Sequence, residues 1–183
     1  MTFRLTFELN TFLFFSPAGR TPLMYAANAG DSPAALEAAA ALLAAGAPLG
    51  ARDGHGWTAL QIVMAGERGP SWRCSQMTEL LLAAGADAAH VNFAGDSALA
   101  LMCLHTAEIG AGAAGAKDLL RAARALLAAP GGAAAALLTS RNDIGYCPLT
   151  IELRLGARHP VVALLKSAYA AAGLADFAEQ VTG

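Results

Sequence analysis

One pattern of residues occurs four times in this chain and limits what it can fold into. The segments at 19–23, 56–60, 95–99 and 145–149 each read glycine, any residue, Thr, Ser or Cys, then Pro or Ala, then leucine. A short polar residue, Ser, Asp or Asn, stands three positions before each glycine. Successive copies begin 37, 39 and 50 residues apart. Such repetition predicts one structural unit that is built several times.

Each position of the pattern has a mechanical role at the start of a helix. The Asp, Asn or Ser side chain opens a turn by bonding to the backbone two residues on, and glycine adopts a positive φ at little cost. Thr or Ser suits a helix N-cap, and proline suits the first helical position after it. The leucine begins the buried face. Each copy therefore predicts a tight turn that leads directly into a helix.

The most complete copy, at 19–30, resembles the ankyrin repeat, whose signature is Thr-Pro-Leu-His-x-Ala in a unit of about 33 residues. It reads Gly-Arg-Thr-Pro-Leu-Met-Tyr-Ala-Ala-Asn-Ala-Gly. The segments at 42–47 and 81–86 both read Leu-Leu-Ala-Ala-Gly-Ala, which is similar to the end of that repeat's second helix. The resemblance implies an all-α, ankyrin-type α-solenoid of four divergent helix-turn-helix repeats, with short β-turns between them.

The resemblance also sets the expected domain organisation. The repeat units are placed at 16–52, 53–91, 92–141 and 142–173. Residues 1–15 alternate apolar and polar side chains, which indicates a possible N-terminal strand, and 174–183 is expected to form a C-terminal capping helix. Insertions at 66–75 and 108–116 interrupt the second and third units. The helices expected in the last two units are 98–106, 116–129, 148–155 and 160–172, with one further turn at 133–138.

The family histidine that follows leucine is absent from all four units. Its positions are occupied by Met24, Gln61, Ala100 and Thr150. This change predicts the loss of a polar contact between neighbouring turns.

Bulk properties exclude several classes of function. The formal charge of −2 and the pI of about 6.0 give no basic footprint for nucleic acid. The alanine tracts are cut by glycine, proline and charges, so no membrane span is expected. Three cysteines without paired spacing argue against a disulfide framework and favour a reducing compartment, cytoplasmic or nuclear.

A search for catalytic chemistry yields one weak candidate. No histidine or cysteine pair has zinc spacing, and neither a phosphate-binding loop nor a nucleophile elbow is present, so no cofactor or metal is expected. Cys74 follows Arg73, and an arginine can lower the pKa of a thiol. A thiol-dependent or redox role for Cys74 is therefore one alternative, and a degenerate repeat protein without a partner is another.

The resemblance implies a non-catalytic, monomeric protein-binding module, such as an adaptor or scaffold, whose partner is another protein. Ankyrin arrays bind partners through turn tips and the exposed side of the first helices, on a slightly concave face. Exposed aromatic and arginine side chains at such positions are the types that anchor interfaces. The residues predicted to bind the partner are Arg20, Asn28, His55, Trp57, Phe93, Asp96, Asp143, Ile144, Tyr146 and Arg154. The aromatic rings among them could instead pack over the neighbouring turn.

Overall fold

The computed structural model describes residues 19–65, 73–109, 113–130, 133–151 and 159–176. The helices among these residues are α1 (Pro22–Asn28), α2 (Pro33–Ala44), α3 (Ala59–Ala65), α4 (Ser75–Ala83), α5 (Ala98–Ile109), α6 (Ala113–Leu127), α7 (Ala133–Thr139), the 3₁₀ helix (Pro148–Ile151) and α8 (Pro160–Ala171). Within the described ranges, β structure is limited to one bridge between Val91 and Ser97. No described helix is long and apolar enough to cross a membrane.

The repeated pattern starts helices as predicted. Thr21 is the N-cap of α1, its Oγ1 accepts a hydrogen bond from the Met24 N–H at 3.3 Å, and Pro22 occupies the first helical turn. Ser32 caps α2 in the same way, accepting from the Ala35 N–H at 3.3 Å. These caps satisfy backbone donors that a helix leaves unpaired at its start.

The helices form two parallel rows. The first row is α1, α3, α5 and the 3₁₀ helix, and each member contacts the next. The second row is α2, α4, α6 and α8, again with contact between neighbours. α7 is an additional helix that contacts α5, α6 and the 3₁₀ helix. This arrangement confirms the predicted helical repeat solenoid.

One continuous core joins all of these units. The pattern leucines Leu23, Leu60, Leu99 and Leu149 are buried and belong to a single hydrophobic cluster. The far end of the cluster includes Tyr169 of α8, whose hydroxyl donates to the Leu138 carbonyl. The leucine that begins the buried face of each copy therefore lies in one elongated core shared by all four units.

The turns that begin at Asp53, Asn92 and Asn142 have the same hydrogen bonds. In the second unit, Asp53 Oδ1 accepts from the backbone N–H groups of His55 at 2.9 Å and Trp57 at 3.0 Å. The side chains of Asn92 and Asn142 accept from the equivalent N–H groups of their own turns. Gly56 and Gly95 close two of these turns at φ values of 78° and 80°, which L side chains rarely adopt.

Polar contacts between turns are present despite the missing histidine, so the predicted loss was wrong at the position of Gln61, whereas the hydrogen bonds of Met24 and Thr150 stay within their own units. Gln61 takes the place of the histidine: its Nε2 donates to the backbone oxygens of His90 at 3.2 Å and Asp96 at 2.8 Å. The Asn142 amide donates to Asp96 Oδ1 at 2.8 Å at the next interface. An amide can supply a donor in place of the histidine of the family pattern.

The start of α4 is held by carboxylates of both neighbouring units. Asp31 accepts from the backbone N–H groups of Gln76 at 2.9 Å and Met77 at 2.8 Å. Asp118 of α6 accepts from the Cys74 N–H at 2.8 Å and the Ser75 hydroxyl at 2.6 Å. Negative charge at a helix N-terminus is stabilising. Because Asp31 and Asp118 belong to the units on either side of α4, their contacts join three consecutive units.

Some predicted elements differ from the structure. The helix expected at 116–129 already begins at Ala113, because alanine is the strongest helix former. The first helix expected at 148–155 is a 3₁₀ helix over Pro148–Ile151 in its described part. The possible strand at 1–15 and most of the capping segment at 174–183 lie outside the described residues.

A candidate partner-binding groove at the turn tips

The tips of the second, third and fourth turns, together with Arg20 of the first turn, line a groove with a volume of about 570 Å³. The groove is lined by Arg20, Gly54, His55, Trp57, Asn92, Phe93, Ala94, Asp96 and Asp143, and we refer to it as the turn-tip groove. Six of the ten residues predicted to bind a partner are therefore brought together in one place. They come from four sequence units, so the stacking of the turns creates the groove.

Backbone hydrogen bonds between the turns fix the spacing of the groove walls. The Phe93 N–H donates to the His55 carbonyl at 3.2 Å, and the Asp143 N–H donates to the Ala94 carbonyl at 3.0 Å. Both bonds join backbone groups of neighbouring turns. The side chains of His55, Phe93 and Asp143 take no part in them. The groove is consequently a preformed surface, which lowers the ordering cost of binding.

Phe93 is the most exposed aromatic side chain of the groove. Its ring packs against Gly56 of the preceding turn, where an added Cβ would lie 2.8 Å from Phe93 Cδ1. The side chain nevertheless remains 71% exposed. Trp57, half-buried, lies in the same groove. The sequence left two interpretations of Phe93, packing over the neighbouring turn or exposure to a partner. Both apply, because one side of the ring packs against the turn and most of the side chain is exposed.

Arg20 and Asp53 form an ion pair at one end of the groove. Arg20 Nε lies 3.4 Å from Asp53 Oδ2, and the Asp53 side chain is fully buried. Because that same carboxylate accepts the turn N–H groups, the pair joins the first turn to the second. Arg20 therefore has a structural role in addition to lining the groove.

The other predicted binding residues lie elsewhere. Ile144, at the tip of the last described turn, is 83% exposed, but it does not line the groove. Tyr146 and Asn28 are half-buried, and Arg154 lies outside the described residues. The structure thus brings six of the ten predicted residues together in the turn-tip groove, to which all four turns contribute.

Cys74 is not arranged for thiol chemistry. Its side chain is fully buried, and burial, followed by the negative charge of Asp118, raises the pKa of its thiol far above the ordinary value. Arg73 opposes this rise only weakly, being the smallest of the contributions. Only the thiolate is a nucleophile, so the thiol-dependent alternative has no support in the local geometry. Among the described residues, no group of three or more His, Cys, Asp or Glu side chains could hold a metal ion.

We expect all three thiols to be protected in the folded protein, because Cys74, Cys103 and Cys147 are buried. Iodoacetamide at neutral pH should label none of them within a time that fully labels the urea-unfolded chain, as measured by peptide mass spectrometry. Unfolded protein serves as the control for reagent activity. Rapid labelling of Cys74 in the native state would revive the thiol-dependent alternative.

Comparison with known proteins supports the interpretation of the repeats. Residues 18–54 match the sequence model of the family described as Ankyrin repeat. A search among curated proteins finds no match to the chain. The matched segment covers the first turn, α1, α2 and the tip of the second turn, which is the most complete copy of the repeated pattern.

Proposed function

Because this chain carries an ankyrin repeat at residues 18–54 and builds later units from the same turn and helices, we propose that it is a protein-binding module. Ankyrin repeats are in general protein-interaction modules and are typically not enzymes. The proposal is that a segment of a partner protein is bound in the turn-tip groove, without catalysis. The observation that carries it is the convergence of six predicted contact residues on that groove.

Phe93 is the expected anchor of the interaction. Binding energy at protein interfaces concentrates in a few aromatic and arginine side chains that fit into the partner. Phe93 presents a large apolar surface to solvent while its backbone and one side of its ring are held by the neighbouring turn. Its rotational freedom is already restricted, so little entropy is lost when a partner covers it.

We further propose that the module acts as a monomeric adaptor or scaffold in the cytoplasm or nucleus. The three cysteines are free thiols, as expected for a protein kept in a reducing compartment. The acidic balance of the chain, with a formal charge of −2, favours a protein partner over nucleic acid.

Substituting Phe93 with alanine should weaken binding while leaving the fold intact. A displayed library of random peptides is selected on the chain, and the dissociation constants of the selected peptides are measured by fluorescence anisotropy. Loss of an aromatic anchor costs about 2 kcal/mol, which corresponds to a loss of affinity of about thirtyfold. Thermal denaturation of Phe93→Ala verifies that the fold is unchanged.

Tyr25→Ala provides a matched control. Tyr25 is an exposed aromatic residue on α1, but it does not line the turn-tip groove. We expect this substitution to change affinity less than twofold, well under the effect of an anchor. If Tyr25→Ala abolished binding and Phe93→Ala did not, the first helices would be the binding surface. A selection that yields no peptide dependent on Phe93 would favour a degenerate repeat protein.

A further inference from the structure

The turn-tip groove contains more carboxylates than cations to pair with them. Its cationic residue, Arg20, is paired with the buried Asp53 carboxylate at 3.4 Å. Two further carboxylates line the groove, those of Asp96 and Asp143. Neither of these forms an ion pair with any cation of the described residues. The groove therefore carries an excess of negative charge on the side formed by the third and fourth turns.

Asp96 is a buried carboxylate with one oxygen left for the groove. The side chain is 8% exposed, and Asp96 Oδ1 accepts from the Asn142 amide at 2.8 Å. Its second oxygen accepts no hydrogen bond from any described residue. This oxygen is not enclosed by the described residues, so it is accessible from the groove. A donor placed in the groove would complete its hydrogen bonding.

Asp143 supplies a second carboxylate on the same side. Its backbone N–H is bonded to the Ala94 carbonyl at 3.0 Å, which holds this turn beside the one that carries Phe93. Its side chain is exposed and lines the groove. The exposed ring of Phe93 and the half-buried ring of Trp57 form the apolar part of the same groove.

Carboxylates beside aromatic rings are the combination that suits a long cationic side chain. An arginine or lysine can lay its apolar stem along a ring while its charged head bonds to carboxylate oxygens. A charge-assisted hydrogen bond is stronger than one between neutral groups. A bare metal ion is a poorer fit, because two carboxylates provide too few ligands and the rings provide none.

We propose that the segment bound in the turn-tip groove presents an arginine or lysine side chain to Asp96 and Asp143, with its stem against Phe93. This inference rests on the proposed function, since it specifies the chemistry of the partner segment. The recognised ligand is a basic, partly apolar stretch of polypeptide. The contact pairs opposite charges, so its affinity falls as salt is added.

The test is a parallel selection of random peptides on the full chain and on Asp143→Lys. Peptides from the unmodified chain should be enriched in Arg and Lys. Those selected on Asp143→Lys should lose this enrichment and gain Asp and Glu. The Asp143 side chain is exposed, so the substitution leaves the core untouched. The proposal is overturned if peptides that depend on Phe93 show the same content of basic residues on both proteins.

A double-mutant cycle separates direct contact from a structural effect. Asp96→Asn keeps an oxygen that can accept from Asn142 but removes the negative charge. This substitution should lower the affinity for the best peptide about tenfold. It should hardly change the affinity for a variant of that peptide in which glutamine replaces arginine. Equal losses for both peptides would assign Asp96 a structural role and overturn the contact. If no peptide depends on Phe93, the proposed function itself fails, and this inference fails with it.

Discussion

Replacing Leu60 with alanine is expected to lower the free energy of unfolding by about 2–5 kcal/mol. Leu60 is 1% exposed and is the second residue of α3, the helix of the first row that contacts both α1 and α5. Removing its side chain loses buried apolar area and leaves a cavity that flanking helices can fill only in part. The measurement is urea denaturation followed by circular dichroism, with the midpoint and slope compared between the two proteins.

Leu36→Ala is the matched control for this prediction. Leu36 lies on α2, where its side chain is only partly buried against the same core. We expect a clearly smaller loss, because part of that side chain is already in water. Equal effects at the two positions would contradict the view that the interface between stacked first helices dominates the stability. A second transition appearing in Leu60→Ala would show that the units had uncoupled.

Replacing Gln61 with methionine is expected to lower the free energy of unfolding by about 1–3 kcal/mol. Gln61 is 1% exposed, and its Nε2 donates to the backbone oxygens of His90 and Asp96 in the following turn. Methionine fills similar space but has no donor, so the His90 carbonyl loses this partner and the Asp96 carbonyl keeps only the Asn92 N–H, at 3.1 Å. The same denaturation experiment measures the loss.

The choice of methionine isolates the contact between the turns. Gln61 Oε1 also accepts from the Thr58 N–H at 3.1 Å, at the start of its own helix. At the equivalent place in the first unit, Met24 Sδ accepts from the Thr21 N–H at 3.3 Å, so methionine can retain that local role. Gln61→His, which restores the residue of the family pattern, should keep most of the stability. Loss of stability in the histidine variant alone would contradict this explanation.

The helix starts could be predicted because their causes are local. A capping side chain, a proline and a glycine act within a few residues of themselves, and the structure places Thr21 and Ser32 at the N-caps that the pattern indicates. The spacing of the leucines likewise required a shared core, since a single unit cannot bury its own apolar face. Position in the repeat was sufficient to propose six of the nine residues that line the groove.

Other features could not be found by reading along the chain. The contacts of Asp31 and Asp118 with the start of α4 join residues more than 40 positions apart, at 46 and 43–44 residues of separation. Which side chain replaces the missing histidine depended on whether Gln61 reached the next turn. The burial of Cys74, which removes its candidacy as a nucleophile, depended on how α4 packs against α6.

The amino-acid sequence alone thus determined the repeating unit, its turns and the order of its helices, because these follow from short-range hydrogen bonding and backbone preference. Tertiary structure decided which polar groups meet across units and which carboxylates remain without a cation. Those outcomes depend on the separation and rotation of stacked turns, and a spacing along the chain does not specify either quantity. The groove beside Phe93 belongs to this second class, because four sequence units must be stacked before it exists.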